Sequence, residues 1–344
     1  MTPAPSAPTV RHRPREGTAS WPIADRLCYW LCWVVGIGMC AVAAAIVVYM
    51  LVKGLSYLRP GLLVTSPAAS PRQGESGGFL DPIEGTLIVT AIGTLVAAPL
   101  GVALAVWISE YHRPSWMARA TESALEMIAG APSVVLAIFG LILFARGFLG
   151  FLSQQAENGH VTGESFITAG LVMSLLALPM VVAATRESLS QIPARVREAS
   201  YALGKTKATT IRNVLLPTAR PGVATGTVLG MGRIIGDTAV ITILLGASLH
   251  TEPGSGGPVI GLLRGSGSTL TSYVYSNSPA GEGNSPQKAY AAAVVLLAIV
   301  LALNALVTRI ARGEAAAARG QKGGDAFGER RRFLPSWVSR RLEW

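Results

Sequence analysis

Charge is scarce in this chain. Only 14% of its 344 residues are charged and 50% are hydrophobic, whereas a soluble domain carries about a quarter charged residues. That scarcity excludes an ordinary soluble domain. Cysteine is scarcer still: Cys28, Cys32 and Cys40 all fall in one apolar stretch. Cys28 and Cys32 lie one helical turn apart, a spacing that could pair two soft ligands. They are read instead as small buried hydrophobes with no function, so no metal, cofactor or catalytic residue is expected. Also missing is the first glycine of a nucleotide loop. Gly204-Lys205-Thr206 ends like Gly-x-x-x-x-Gly-Lys-Ser/Thr, but Ala199 stands where the loop must open. The preceding residues carry a helical apolar spacing, not the buried strand that such a loop follows. The chain is therefore not expected to hydrolyse ATP.

The apolar residues are gathered into six runs, at roughly 27–52, 85–108, 124–149, 165–185, 222–249 and 289–310. About 20 apolar residues cross a bilayer core, so the expected class is all-α, a polytopic membrane protein with six transmembrane helices. The first run is too long for the 7–15 apolar residues of a signal peptide. Pro99, Pro132 and Pro179 interrupt three of the runs. Broken helices in lipid are tolerated where the freed backbone faces protein or a water-filled cavity, which suits a protein with a path through it.

Net charge is +10 and the pI is near 9.9, a balance that nucleic-acid binding could explain. Its distribution argues for topology instead. With the N-terminus inside, 22 of the 29 Lys and Arg residues fall in inner segments and five in outer ones. This is the positive-inside bias, and it predicts a multi-pass plasma-membrane protein with both termini cytoplasmic and no nucleic-acid partner. Residues 1–24 are read as a disordered cytoplasmic arm, 25–312 as the six-span domain and 313–344 as a basic cytoplasmic tail. In that tail Arg330, Arg331, Arg332, Arg340 and Arg341 alternate with Phe333, Trp337 and Leu342, a pattern suited to anionic lipid. The Gly/Ser/Pro-rich outer stretches 56–82 and 250–288 read either as mobile connectors or as contacts for a soluble partner.

Two stretches carry the functional expectation. Between 193 and 217, Pro193 opens a short helix that Gly204 stops in left-handed geometry. A second helical segment then runs from about Thr206 and ends at Pro217, giving a compact basic knob. In the fifth run, Arg233 and Asp237 lie four apart on one expected helical face. A charge at mid-bilayer costs about 2.5–3.5 kcal/mol, so the pair is either functional or a structural ion pair. A guanidinium offers bidentate hydrogen bonds to an oxyanion. A carboxylate beside it could accept from a protonated phosphate, which sulfate could not satisfy. Gly226, Gly230, Gly232 and Gly236 thin the same helix for a close neighbour or ligand.

Glu198-Ala199-Ser200, three residues, Gly204, nine residues and Val214-Leu215-Leu216-Pro217 resemble the signature loop of ABC-importer permeases. "GMGRIIGDTAV", "AGAPSVVLAIFGLILF" and "PLGVALAVWISEY" are similar to segments of the Pst-type phosphate importer, over about residues 25–312. The resemblance implies a type I ABC-importer permease fold and an ATP-driven phosphate importer. It implies two ATP-binding subunits docking at Glu198, Ala199, Gly204 and Pro217, and an extracytoplasmic phosphate-binding protein. Thr238-Ala239 after the acid points to the A-type subunit, with a C-type permease as partner. Asp237 stands where the family has Glu. The implied path holds Arg233, Asp237, Thr238, Pro132 and Ser133. Other readings are a different oxyanion (phosphonate, molybdate or sulfate), an ion-coupled secondary transporter, or a scaffold sensing phosphate.

Overall fold

The computed structural model describes residues 22–67, 77–111, 115–146, 150–152, 163–246, 251, 257–279, 281 and 285–332. The expected disorder of residues 1–20 and the alternating segment beyond 332 lie outside the described residues. The chain divides into two units, 1–52 and 53–344. In the first, α1 (Ile23–Leu55) is a 33-residue helix. At 1.5 Å per residue it is about 50 Å long, more than the ~30 Å hydrocarbon core. Cys28, Cys32 and Cys40 are exposed on it, not buried. Every described side chain from 22 to 49 is exposed there, so nothing in this unit covers them.

The second unit is all-helical in its described residues apart from turns and loops. In order, it contains α2 (Leu80–Glu110), α3 (Ser115–Gly130), α4 (Ser133–Arg146), α5 (Phe166–Ser190), α6 (Ala194–Ala202) and α7 (Lys207–Thr210). A π-turn at Ile211–Leu215 leads into α8 (Leu216–Gly236), followed by α9 (Thr238–Leu245), α10 (Pro258–Arg264), α11 (Leu270–Asn277) and α12 (Pro286–Arg332).

Small residues decide how the spans assemble. On α2, Gly93, Ala97, Gly101 and Ala105 recur every fourth position, and all are buried. On α8, Gly222, Gly226 and Gly230 have the same spacing and meet Ser188, Ala184, Val181 and Ala177 of α5. Helices in lipid gain little from hydrophobicity and associate through such close approach. The most buried of the four long apolar helices, α5, is clamped between these two stripes. Its Phe166, Met173, Leu176 and Ala177 share a core with Val89, Ile234, Ile241 and Leu244.

Four helices, α1, α2, α5 and the 286–311 part of α12, are long and apolar enough to cross a membrane. The other two expected spans are bent pairs: α3 turns into α4 through 106°, and residues 207–236 turn into α9 through 61°. The run 124–149, expected to be interrupted at Pro132, is broken there. Pro132 disfavours helical geometry at Ala131, and α4 has 14 residues, about 21 Å, too short to span alone. The helix of α12 also continues past residue 312 to Arg332, so that boundary marks a change of composition, not a helix end.

The stretch 250–288 holds two helices where connectors were one expectation. The Leu270 N–H donates to buried Thr86 Oγ1 at 2.9 Å, and a Thr269–Ser272 capping box starts α11. The ring of Tyr273 packs edge-on against Phe79 at 5.5 Å. Burial, with Tyr57 nearby, pushes its hydroxyl up to about 12. Asp81 accepts from Ser66 Oγ at 2.9 Å and from the Thr251 N–H at 3.2 Å, tying both loop regions to the start of α2.

A Cβ on Gly226 would lie 3.1 Å from the Val181 Cα and carbonyl oxygen, whereas one on Gly232 meets nothing within 4 Å. Gly226→Val is expected to cost about 1–3 kcal/mol of stability in denaturant titration of the detergent-solubilised protein. Gly232→Ala is expected to be neutral or stabilising by up to about 1 kcal/mol.

Candidate functional site

The knob forms as its turn chemistry requires. α6 ends at Ala202, and Gly204 takes φ +75°. The Gly204 N–H donates to the Tyr201 carbonyl at 2.9 Å and the Lys205 N–H to the Ser200 carbonyl at 3.3 Å, the paired bonds of a left-handed glycine stop. Thr206 then caps α7, its Oγ1 accepting from the Thr209 N–H at 3.4 Å. Ser200 and Thr210 hydroxyls join the two helices at 2.9 Å. Beneath them Leu189, Ile192, Ile211, Leu215 and Ala219 form a small core with Val106 of α2.

Glu198, Ala199 and Gly204 are exposed on this knob, as expected. Val196, Tyr201 and Leu203 are exposed beside them, Leu203 by 77%. The outward surface thus mixes these apolar side chains with Glu198 and the exposed Arg195, Lys205 and Lys207, an amphipathic surface suited to a groove on another protein. Pro217 is a correction: it does not end the second segment. It stands in the first turn of α8, directly after the π-turn, whose altered hydrogen bonding accommodates a proline within a continuing helix. Helix therefore runs from Lys207 through the π-turn to Gly236, and the knob continues into the fifth span without a joint.

At the far end of α8, Arg233 Nη2 lies 3.4 Å from Asp237 Oδ2. The two do not share one continuous helical face, because the helix breaks at Asp237 (φ −89°, ψ 86°). Asp237 serves both sides of that break. One oxygen faces Arg233, and Oδ1 accepts from the Val240 N–H at 3.3 Å, capping α9. The Asp237 side chain is 9% exposed and that of Arg233 42%. A guanidinium has five donors, so one long contact to Asp237 leaves most of its hydrogen-bonding capacity on the exposed side. Around it, Gly232 and Gly236 have open space where a Cβ would stand. The four glycines thus divide: 226 and 230 fit against α5, while 232 and 236 open the face that carries Arg233.

Thr238 begins α9 and is half-buried; its carbonyl accepts from Thr242 Oγ1 at 2.9 Å. Pro132 is exposed and Ser133 half-buried at the other break. The helices that follow the two breaks, α4 and α9, share one core through Ala137, Phe144, Val240 and Leu244. At the C-terminal end of α9, burial raises the Glu164 carboxyl above the usual range, beside Gly246. Sequence reasoning missed the capping role of Asp237, although Gly236-Asp237-Thr238 carries a helix-stop and N-cap signal. It also missed Glu110 and Arg197, which form an ion pair at 2.9 Å. No local signal could have joined them across 87 positions.

Asp237→Asn keeps a capping oxygen and removes the ion pair; Asp237→Ala removes both. Chemical denaturation is expected to find the Ala variant less stable than the Asn variant by about 1 kcal/mol.

Residues 97–314 match the family described as binding-protein-dependent transport system inner membrane component. The chain is 35% identical over 214 residues to a probable ABC transporter permease, YqgH of Bacillus subtilis, covering 60% of this chain and 67% of that one. It is 32% identical over 229 residues to the phosphate transport system permease PstA 1 of Mycobacterium tuberculosis, covering 67% and 69%. To PstC of Pasteurella multocida it is 31% identical over 189 residues, 51% of this chain and 59% of that protein. The chain thus spans about three fifths of the PstC protein's length. A bacterial alginate ABC transporter structure matches with TM-score 0.59 at 16% identity, covering 85% of this chain and 96% of that one. A fold with four to six spans, its matched region and its relatives agree: the chain belongs to the binding-protein-dependent inner membrane component family, as a multi-pass permease subunit of an ABC importer whose ATPase is a separate subunit.

Proposed function

We propose that the protein is a permease subunit of an ATP-driven phosphate importer, forming half of the path for the anion. The observation that carries this reading is Arg233 on the open face of α8, held by a buried carboxylate at a helix break. Phosphate-transport permeases among the relatives support the choice of cargo. Thr238-Ala239 supports the A type, although the relatives include both PstA 1 and PstC proteins. In this reading the partners are two ATPase subunits, a second permease of C type and an extracytoplasmic phosphate-binding protein. The knob and both termini face the cytoplasm, following the positive-inside bias.

Closure of the ATPases would push the knob, and the unbroken helix from Lys207 to Gly236 would carry that push toward Arg233. The anion would exchange part of its hydration for guanidinium contacts, helped by Thr238, with Pro132 and Ser133 at the second break. Glu198, Ala199 and Gly204 belong to the docking surface; Pro217 keeps only a role inside the transmitting helix.

The test is ATP-dependent uptake of radiolabelled phosphate by the reconstituted complex. A hydrogen bond to a charged group is worth about 1.5–3 kcal/mol, so Arg233→Gln is expected to lower uptake about tenfold or more. Unchanged uptake by that variant would remove Arg233 from the path. Sulfate competing as well as phosphate would favour the alternative of a broader oxyanion permease. Uptake persisting without the ATPase would favour an ion-coupled transporter. Leu203→Asp is expected to weaken ATPase co-purification, since it puts a charge in place of an exposed apolar side chain of the docking surface.

A further inference from the structure

α5 and α8 are joined to the knob by the chain itself. α2 is not, yet its last residue is tied to the knob more firmly than any sequence neighbour requires. Glu110 ends α2 and is buried, its side chain only 7% exposed. A carboxylate at a helix C-terminus opposes the negative end of the helix dipole, and a buried charge needs a partner. Arg197 of α6 supplies it: Nε and Nη2 donate to Glu110 Oε1 at 3.0 and 2.9 Å. The same guanidinium donates from Nη1 to the Ile192 carbonyl at 2.7 Å and from Nη2 to the Leu189 carbonyl at 3.0 Å. The Leu189 carbonyl lies in the last turn of α5, where a helix leaves acceptors short of partners, and Ile192 lies in the connection just beyond it. A second tie comes from α7: Lys207 Nζ donates to the Glu110 backbone carbonyl and lies 4.6 Å from the centroid of the Tyr111 ring.

We propose that Glu110, Arg197 and Lys207 form a positioning joint that makes α2 move with the knob when the ATPase subunits push it. This rests on the reading of the knob as the ATPase-docking element. Without the joint, a displacement of α6 could be absorbed by the Gln191–Pro193 connection and the Gly204 turn. With it, the ends of α2 and α5 and both knob helices move together. The small-residue contact of α2 with α5 then passes that motion into the span bundle.

Two readouts test the joint in the full assembled complex. The first needs no transported substrate. In a background where Cys28, Cys32 and Cys40 are serine, nitroxides at Ala103→Cys on α2 and Lys205→Cys on the knob report their separation by pulsed electron paramagnetic resonance. The distance is expected to stay within about 2 Å between ATP-free and ATP-bound complex, and to broaden or shift further in Glu110→Gln. The second readout is phosphate taken up per ATP hydrolysed. Glu110→Gln is expected to lower that ratio about tenfold while hydrolysis stays within about twofold, a size usual for coupling between sites. The milder Lys207→Met is expected to lower it about threefold, and decides the matter if Glu110→Gln does not assemble.

Distances insensitive to Glu110→Gln, or uptake and hydrolysis that fall in step, would overturn the joint. Wild-type complex that hydrolyses ATP without importing phosphate would sink the phosphate reading alone, leaving the distances to judge the joint.

Discussion

The structure depends on the close approach of α5 to its two neighbours. Glycines and alanines every fourth residue on α2 and α8 bring their backbones against Val181, Ala184 and Ser188. In lipid this contact has no hydrophobic drive behind it; dispersion and fit hold it. The consequence reaches the site. Gly226 and Gly230 are committed to α5, while Leu229, Gly232, Arg233 and Gly236 of the same helix are all exposed. The charge in the fifth span stands where packing does not need an apolar residue.

Charged side chains in this fold recur at helix ends, where backbone groups lack partners. Asp237 caps α9 while holding Arg233. Arg197 satisfies carbonyls at and just beyond the end of α5 while neutralising Glu110, and Lys207 meets the last carbonyl of α2. Each charge thereby performs a structural task at a place where chain direction changes. That is a physical reason why the breaks and the functional candidates coincide: orphan backbone groups attract polar side chains, and those side chains then become available to a ligand or partner.

The two halves of the candidate machinery differ in how far they were legible. The knob was, because its turn rests on local chemistry: Gly204 with positive φ, Thr206 as a cap and Pro193 before α6. Pro217 misled, since a proline reads as a helix end when only neighbours in sequence are considered. A π-turn immediately before it lets the helix pass with proline in the first turn of α8. Run length likewise announced a third span, but said nothing of a 106° turn at Pro132. Helices α10 and α11 were hidden by a Gly- and Ser-rich composition. They are stabilised by contacts such as Leu270 with Thr86, from 184 positions away.

By itself the sequence determined the membrane class, the number of apolar runs, the Gly204 stop and the closeness of Arg233 to Asp237 along the chain, because run length, φ preference and sequence spacing are local properties. Tertiary structure decided which face of α8 stays open, where spans break and which distant charges meet. Those depend on backbone approach and on burial, and neither exists until α2, α5 and α8 are packed together.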